Sequence, residues 1–462
     1  DSGVGPLQPS SVPADRTIAL RLVDLAAPII GVNVLNVLAL AVDTAMVGRT
    51  PTAEVALTGM GFATQLVFLL MVAMLGLTVG SVALVARAHG AGRPDRVRHI
   101  LGQSSQLTVV LGLVAATLGN GAAPWVLGAM GASGAALDAA LDYLRPLLAG
   151  SVFYYLTILH GAALRGVGNT RMAFAVAAAS NLVNLGVNWC LVLGNLGAPA
   201  LGIQGAAIGT VCAQAFSAAM LIILIRRGTV PGIALSLRPR AVDWSLTRTL
   251  ARIGAPAACD MVVLNASFLS IVGMLGRLDP VAVAAHGIGL RIQALAFVPG
   301  MSISQATGAM VGNALGAGRL DEARAVVRAS LGLCTAVMVS LAVCIIAFDS
   351  PIIGLFDVDP GSALGRHTAD WMLLLGVTML PAGVYISFVG MFQGAGATRI
   401  SLGINVVATM ALQIPLSWVL GFHMGLGCFG VWLAFPVGFM LKALLGVALW
   451  QNGSWARSGD RI

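Results

Sequence analysis

Charged side chains are scarce in this sequence. Asp, Glu, Lys and Arg make up 10% of its 462 residues, against roughly 25% in an average soluble domain. Lysine occurs once, as Lys442. With 58% hydrophobic residues and a mean hydropathy of +0.91, a water-soluble fold is excluded. Cysteine is thin as well: Cys190, Cys212, Cys259, Cys334, Cys344 and Cys428 stand singly in apolar stretches. Packing is their expected role, not a disulfide framework or a metal cluster. The chain holds no HExxH, Walker A loop, GxSxG elbow or CxxC pair, so ATP hydrolysis and the familiar covalent chemistries have no home. Neither an enzyme nor a cofactor is expected.

What abounds is apolar sequence. A helix rising about 1.5 Å per residue needs roughly 20 apolar residues to cross hydrocarbon. The pattern predicts twelve spans, near residues 26–48, 55–85, 100–121, 139–163, 172–194, 202–225, 254–276, 282–312, 327–348, 369–392, 400–420 and 427–450. The formal charge of +8 is distributed unevenly. Arg16, Arg21, Arg87, Arg93, Arg171, Arg226, Arg319 and Arg399 fall at the N-terminus or in even-numbered connections, as does Arg165 at the end of the fourth span. Opposite them sit Arg49, Arg277 and Arg366 among Asp138, Asp279, Asp349, Asp357 and Asp359. That asymmetry is the positive-inside pattern and puts both termini in the cytoplasm. It accounts for the basic balance without a nucleic-acid partner and leaves membrane lipids as the contact of the basic face.

The second half repeats the first. Pro28 aligns with Pro256 (256 − 28 = 228), Gly48-Arg49 with Gly276-Arg277, and Gln65 with Gln293. Gly90-Ala91-Gly92-Arg93 returns as Gly316-Ala317-Gly318-Arg319, and Arg165-Gly166-Val167-Gly168-Asn169-Thr170-Arg171 as Gln393-Gly394-Ala395-Gly396-Ala397-Thr398-Arg399. Six spans per repeat give both repeats the same orientation, related by an axis along the membrane normal, the plan of many secondary transporters. The expected division is a disordered tail (1–15), an N-lobe (16–225), a polar cytoplasmic linker (226–252), a C-lobe (253–450) and a cytoplasmic tail (451–462). The fold class is therefore an all-α membrane protein of twelve helices in two six-helix bundles.

Ionisable groups at membrane depth are costly and mark candidate sites. Asp43, in Val42-Asp43-Thr44, has no cation at helical spacing. It either binds a cation or takes up a proton, unless it simply reaches water at the outer surface. Asn181, Asn184 and Asn188 share one face of the fifth span. Their carboxamides suit a hard cation or a carboxyl group, and equally suit plain helix-to-helix bonding. Asn36 in the first span joins this cation-coupling set. Asp260 and Arg291 lie at depth in the second half, either as a pair or as separate handles in a cavity. Gln65, Gln293, Tyr154, Met301 and Tyr385 complete the candidate cavity lining, whose thioether and aromatic surfaces repack around varied amphiphiles. Pro28 and Pro256 are candidate hinges, or static kinks. His160 and Lys442, near span ends, are expected to lie at the interface or snorkel to it.

Taken together, Val42-Asp43-Thr44 with Val47-Gly48, the two Gly-Ala-Gly-Arg turns, Ala284-Ala285-His286, Arg165-Gly166 with Gly168-Asn169-Thr170-Arg171, and Asn184-Leu185-Gly186-Val187-Asn188-Trp189 resemble the multidrug and toxic compound extrusion family. The resemblance covers about residues 20–450. It implies a V-shaped cavity between two lobes and export of organic cations in exchange for protons or sodium ions. It further implies that Asp43 is the N-lobe cation site, with Asn184 and Asn188 as its companions, and that no metal is held other than Na+ at Asp43. Acidic residues of the sodium-linked branch in the seventh and tenth spans are replaced here by Leu264 or Asn265 and by an apolar residue near Ala382. That departure puts a C-lobe sodium site in doubt and tilts the expectation toward protons. The resulting expectation is a monomeric drug antiporter of the bacterial inner membrane. A flippase for a lipid-linked precursor, or an exporter of small organic anions, is the rival, and would want more cations in the cavity.

Overall fold

The structure is a computed structural model that describes residues 15–235 and 241–457. Most of the expected N-terminal tail, the linker residues Arg238 and Arg240 and the end of the C-terminal tail lie outside the described residues. Among the described residues there are helices and no strand. Eleven helices are long and apolar enough to span a membrane, and a bent pair makes a twelfth span.

The first bundle contains α1 (Asp15–Val47), α2 (Ala53–Gly90), α3 (Pro94–Ala129), α4 (Gly134–Ala149) with α5 (Ser151–Gly166), α6 (Thr170–Leu191) and α7 (Ile203–Arg226). The second contains α8 (Trp244–Leu278), α9 (Pro280–Gly316), α10 (Leu320–Ala347), the short α11 (Asp349–Gly354) and α12 (Ala363–Gly394). Its eleventh span starts as α13 (Thr398–Asn405) and passes through α14 (Ile414–Trp418), and α15 (Gly427–Gln451) closes the bundle, followed by α16 (Ser454–Arg457). The twelve spans thus fall where hydropathy puts them. Two boundaries differ: α8 begins at Trp244, inside the expected linker, and α16 buries Trp455 in what reads as tail.

The fourth span bends by 56° between α4 and α5, at Gly150. A Cβ at Gly150 would meet Val211 at 2.6 Å, so the bend lies where α7 leans closest. In the eleventh span the backbone widens to π-helix on either side of Pro415, over Val406–Gln413 and Val419–His423. A proline without an N–H and with its ring against the preceding turn accounts for the widening over Val406–Gln413. By contrast, α1 and α8 run unbroken through Pro28 and Pro256.

The repeated glycine motifs have a local cause. Gly92, Gly318, Gly168 and Gly396 carry φ of +65°, +73°, +84° and +69°. Each ends a helix in a left-handed turn closed by a bond from the next residue: Arg93 N to Ala88 O at 3.0 Å, Arg319 N to Ala314 O at 2.9 Å, Asn169 N to Leu164 O at 2.9 Å and Ala397 N to Phe392 O at 2.7 Å. All four stops lie on the Arg-rich side, called the basic face below.

The lobes meet on the basic half. There α2 and α8 touch backbone to backbone, where a Cβ at Gly76 would meet Gly254 O at 2.8 Å and one at Gly80 would meet Leu250 O at 2.8 Å. At the ends of α2 and α9, a Cβ on Gly90 would overlap the Asn313 carbonyl, and one on Gly316 the Arg87 carbonyl. Arg87 and Asn313 stand three residues before those glycines, and both reach across. The Arg87 guanidinium donates to Ala395 O at 2.9 Å and the Asn313 amide to Gly166 O at 2.8 Å, the ends of the tenth and fourth spans. Asn33 of α1 donates to Ser302 of α9 at 2.9 Å. The Arg87 and Asn313 bonds lie at the basic-face ends of α2 and α9, so the lobes are latched there by a pseudo-symmetric pair of contacts, while the Asn33–Ser302 bond lies near mid-span.

The second bundle has a dense aromatic core in which Trp371, 1% exposed, packs edge-on to His286 and Phe435 beside Trp432. Gly289 gives Trp371 its space, because a Cβ there would fall on the indole. Gly289→Ala is expected to cost about 1–3 kcal/mol by overpacking. Thermal unfolding in detergent checks this; an unchanged midpoint contradicts it.

Candidate functional site

A cavity of ≈ 570 Å³ is lined by α1, α2, α4, α5, α6 and α7 of the first bundle, with Gln305 of α9 from the second. Asp43 lies at the end remote from the basic face, four residues before α1 ends, and is buried against α6 and α7. The i,i+4 spacing of Asn184 and Asn188 sets both amides toward it. Asn188 Nδ2 donates to Asp43 Oδ1 at 2.5 Å and lies 3.3 Å from Asn184 Oδ1. From α7, Thr210 Oγ1 stands 3.5 Å from Asp43 Oδ2 and 3.5 Å from Asn184 Nδ2. Tyr143 of α4 lies alongside. No Lys, Arg or His pairs with Asp43 among the described residues.

Among the described residues this carboxylate is held by neutral donors alone, with Thr210 Oγ1 beside it and Asn184 Oδ1 within reach of the same Asn188 amide. Asn188 Oδ1 is buried with no hydrogen-bond partner. A proton on Asp43 fits this setting, as does a hard monovalent cation drawn to oxygen ligands. Asn181 lines the same cavity but donates to its own helix, to Ala177 O at 2.8 Å, and Asn36 lines the wall without joining the Asp43 cluster. Sequence reasoning missed Thr210 and Gly209. The available signal was a Gly-Thr pair in a span whose other polar side chains include Gln204, Gln214 and Ser217. Gly209 is required by contact, since a Cβ there would overlap Asn188 Oδ1. Gly209→Ala should push the amide off Asp43 and cut ion-coupled transport by about tenfold, the equivalent of about 1.4 kcal/mol, with little change in expression. Initial rates in vesicles decide it; wild-type rates would mean the amide moves freely.

Of the residues expected to line a substrate cavity, Tyr154 does, its hydroxyl 3.5 Å from Met71 Sδ. Gln65, Met301 and Arg291 are exposed and take no part in this cavity. Gln293 is half-buried outside it. Asp260 does not meet Arg291. Helix rotation turns it toward the eleventh span, where Asn405 Nδ2 donates to it at 2.6 Å and Ser401 Oγ at 3.2 Å. Lys442 corrects a second expectation: it does not snorkel but is 2% exposed, its ammonium 4.6 Å from the Phe439 ring centre and 5.6 Å from that of Tyr385. The second bundle thus contains its own carboxylate and amide, Asp260 and Asn405. His160 likewise is no interfacial residue. It is fully buried, with Nδ1 bonded to Leu156 O at 2.9 Å and Nε2 3.1 Å from Ser105 Oγ.

Outside the membrane, Asp243 ties the connection between the lobes to the first bundle. It caps α8 through Leu246 N at 3.0 Å and pairs with His99 at 2.9 Å. The His99 contact, then the Leu246 N–H, holds its carboxyl below the usual carboxylate range.

Comparison with known proteins agrees with this architecture. The MatE family profile matches residues 28–190 and 256–419, one match in each half. Among curated relatives, the probable multidrug resistance protein NorM of Deinococcus radiodurans is 30% identical over 433 residues, covering 93% of this chain and 94% of that protein. The protein of the same name from Thermotoga maritima is 25% identical over 95% of this chain and 94% of its own length. The multidrug resistance protein MdtK of Cronobacter sakazakii is 29% identical over 92% and 94%. A solved structure of a MATE protein in the bent conformation superposes with a TM-score of 0.87 at 19% identity, over 97% of this chain and 100% of that one. An outward-facing multidrug resistance MATE family transporter superposes at 0.86 and 20% identity, over 98% and 99%. With both halves matched and the fold shared along the whole length, this chain belongs to the MatE (multidrug and toxic compound extrusion) family of membrane transporters.

Proposed function

We propose that this protein is a multidrug exporter that moves amphiphilic organic cations out of a bacterial cell through the inner membrane, in exchange for protons or sodium ions. The observation that carries the reading is the setting of Asp43: it is buried, is held among the described residues by neutral donors alone, and lines a cavity. A group that must bind and release a cation each cycle needs a site without a permanent counter-charge. With the basic face in the cytoplasm, the latch formed by Gly90, Gly316, Arg87 and Asn313 closes the inner side. An ion arriving from outside would neutralise Asp43 and change its bonds to Asn188 and Thr210. Drug and ion then favour different states, which is the thermodynamic requirement for exchange. Pro28 in α1 lies between the latch and Asp43 and is the position where that change would bend the helix; Pro256 is its counterpart in α8.

The names of the relatives support the drug class, and the missing cation partner of Asp43 supports the coupling site. The test is uptake of a fluorescent organic cation into everted vesicles carrying the protein, with proton and sodium gradients imposed separately. Uptake driven by one gradient identifies the ion. Absence of uptake under both, with folded protein, overturns the exporter reading.

A further inference from the structure

Arg165 ends the fourth span, and its place in the sequence reads as one more cytoplasmic arginine. Its side chain does otherwise. It turns back into the bundle and lines the same ≈ 570 Å³ cavity as Asp43, at the end next to the basic face. Among the described residues that line the cavity, Asp43 is the only carboxylate and Arg165 the only cation, and the two occupy opposite ends. No carboxylate pairs with Arg165 among the described residues. The cavity wall combines Ala173, Val176 and Ala177 from α6 and Leu221 from α7 with the polar side chains of Gln214, Ser217 and, from α9, Gln305. The repeat supplies a control: the aligned position in the second half is Gln393, so the turn itself does not require a guanidinium.

A half-buried guanidinium facing a cavity with no carboxylate paired to it favours an anionic partner, and its planar fork matches a carboxylate with two parallel hydrogen bonds. We propose that Arg165 is an anion subsite of the cavity that takes the carboxylate of amphiphilic cargo, so that zwitterionic compounds are carried as well as cations. This rests on the exporter reading above. The cargo's apolar body would lie along Tyr154 and Val176, with its carboxylate directed to the basic end. Cargo lacking the carboxylate would use the same walls and leave Arg165 unengaged.

The test uses full-length protein in vesicles and two dyes that differ in one group: rhodamine B, which carries a free carboxylate, and its ethyl ester, which does not. For Arg165→Gln the half-saturating concentration of rhodamine B should rise at least tenfold while that of the ester stays within twofold. Arg165→Lys, which keeps the charge but loses the fork, should fall between. Equal loss for both dyes, or no change for either, overturns the subsite. If Arg165→Gln does not fold, Arg165→Lys carries the comparison, with a several-fold loss confined to the free acid as the expected result. If wild type moves neither dye, the exporter reading fails. The subsite is then judged by equilibrium binding of the same pair, read by fluorescence polarisation with the same expected ratio.

Discussion

Asp43→Asn will leave the protein folded and able to bind drug, and will lower gradient-driven export by about 100-fold or more. The substitution conserves volume, and the new amide still accepts from Asn188, so the packing cost is small. What disappears is the group whose charge responds to the ion. If ion and drug are linked through a coupling energy of about 3 kcal/mol, removing the linkage costs roughly two orders of magnitude in driven transport, while a facilitated leak down the drug gradient persists. Size-exclusion profiles, drug binding and initial efflux rates are the three readouts. Wild-type rates in the mutant would remove Asp43 from the mechanism.

Gly90→Val with Gly316→Val will hold the lobes apart on the basic face and stop the cycle. Each new side chain is forced onto a carbonyl of the opposite lobe, that of Asn313 or Arg87. Neither carbonyl can retreat, because each belongs to a helix packed along its length. At about 2 kcal/mol per overlap the two together shift the balance against the latched state several hundred-fold. Spin labels at Arg96 and Arg324, both near the basic face, should report a longer mean separation in the double mutant. Transport should fall to the background while drug binding survives. An unchanged distance with normal transport would show that the latch is incidental.

The parts of this molecule that were legible in sequence are those set by local rules. Span positions follow from hydropathy, and the repeated Gly-Ala-Gly-Arg turns follow from the left-handed stops that Gly92 and Gly318 make. That Asn184 and Asn188 share a face was legible because they stand four apart on a helix, whereas their meeting with Asp43 of another helix was what the family resemblance implied. Contacts set by the rotation of one helix against another were not. Thr210 and Gly209 reach the cluster from α7, and no spacing in the sequence links them to α6. Asp260 and Arg291 read as a possible pair from opposite charge alone, yet α8 turns Asp260 toward Asn405. Lys442 and Arg165 were both misread for one reason. A basic residue near a helix end is normally drawn to water, but a long side chain on the inward face folds into the bundle instead, toward Phe439 in one case and the cavity in the other. His160 is the buried version of the same error.

Exchange is a reciprocal property, so the central claim is best tested in reverse. Purified protein is reconstituted in vesicles with no ion gradient, an outward gradient of an organic cation is imposed, and internal pH and sodium are followed with indicators. If drug and ion are coupled at Asp43, the drug gradient will drive one of the two ions inward, and Asp43→Asn will abolish that movement. Drug leaving with no ion entering, or ion entry that persists in Asp43→Asn, would contradict the account.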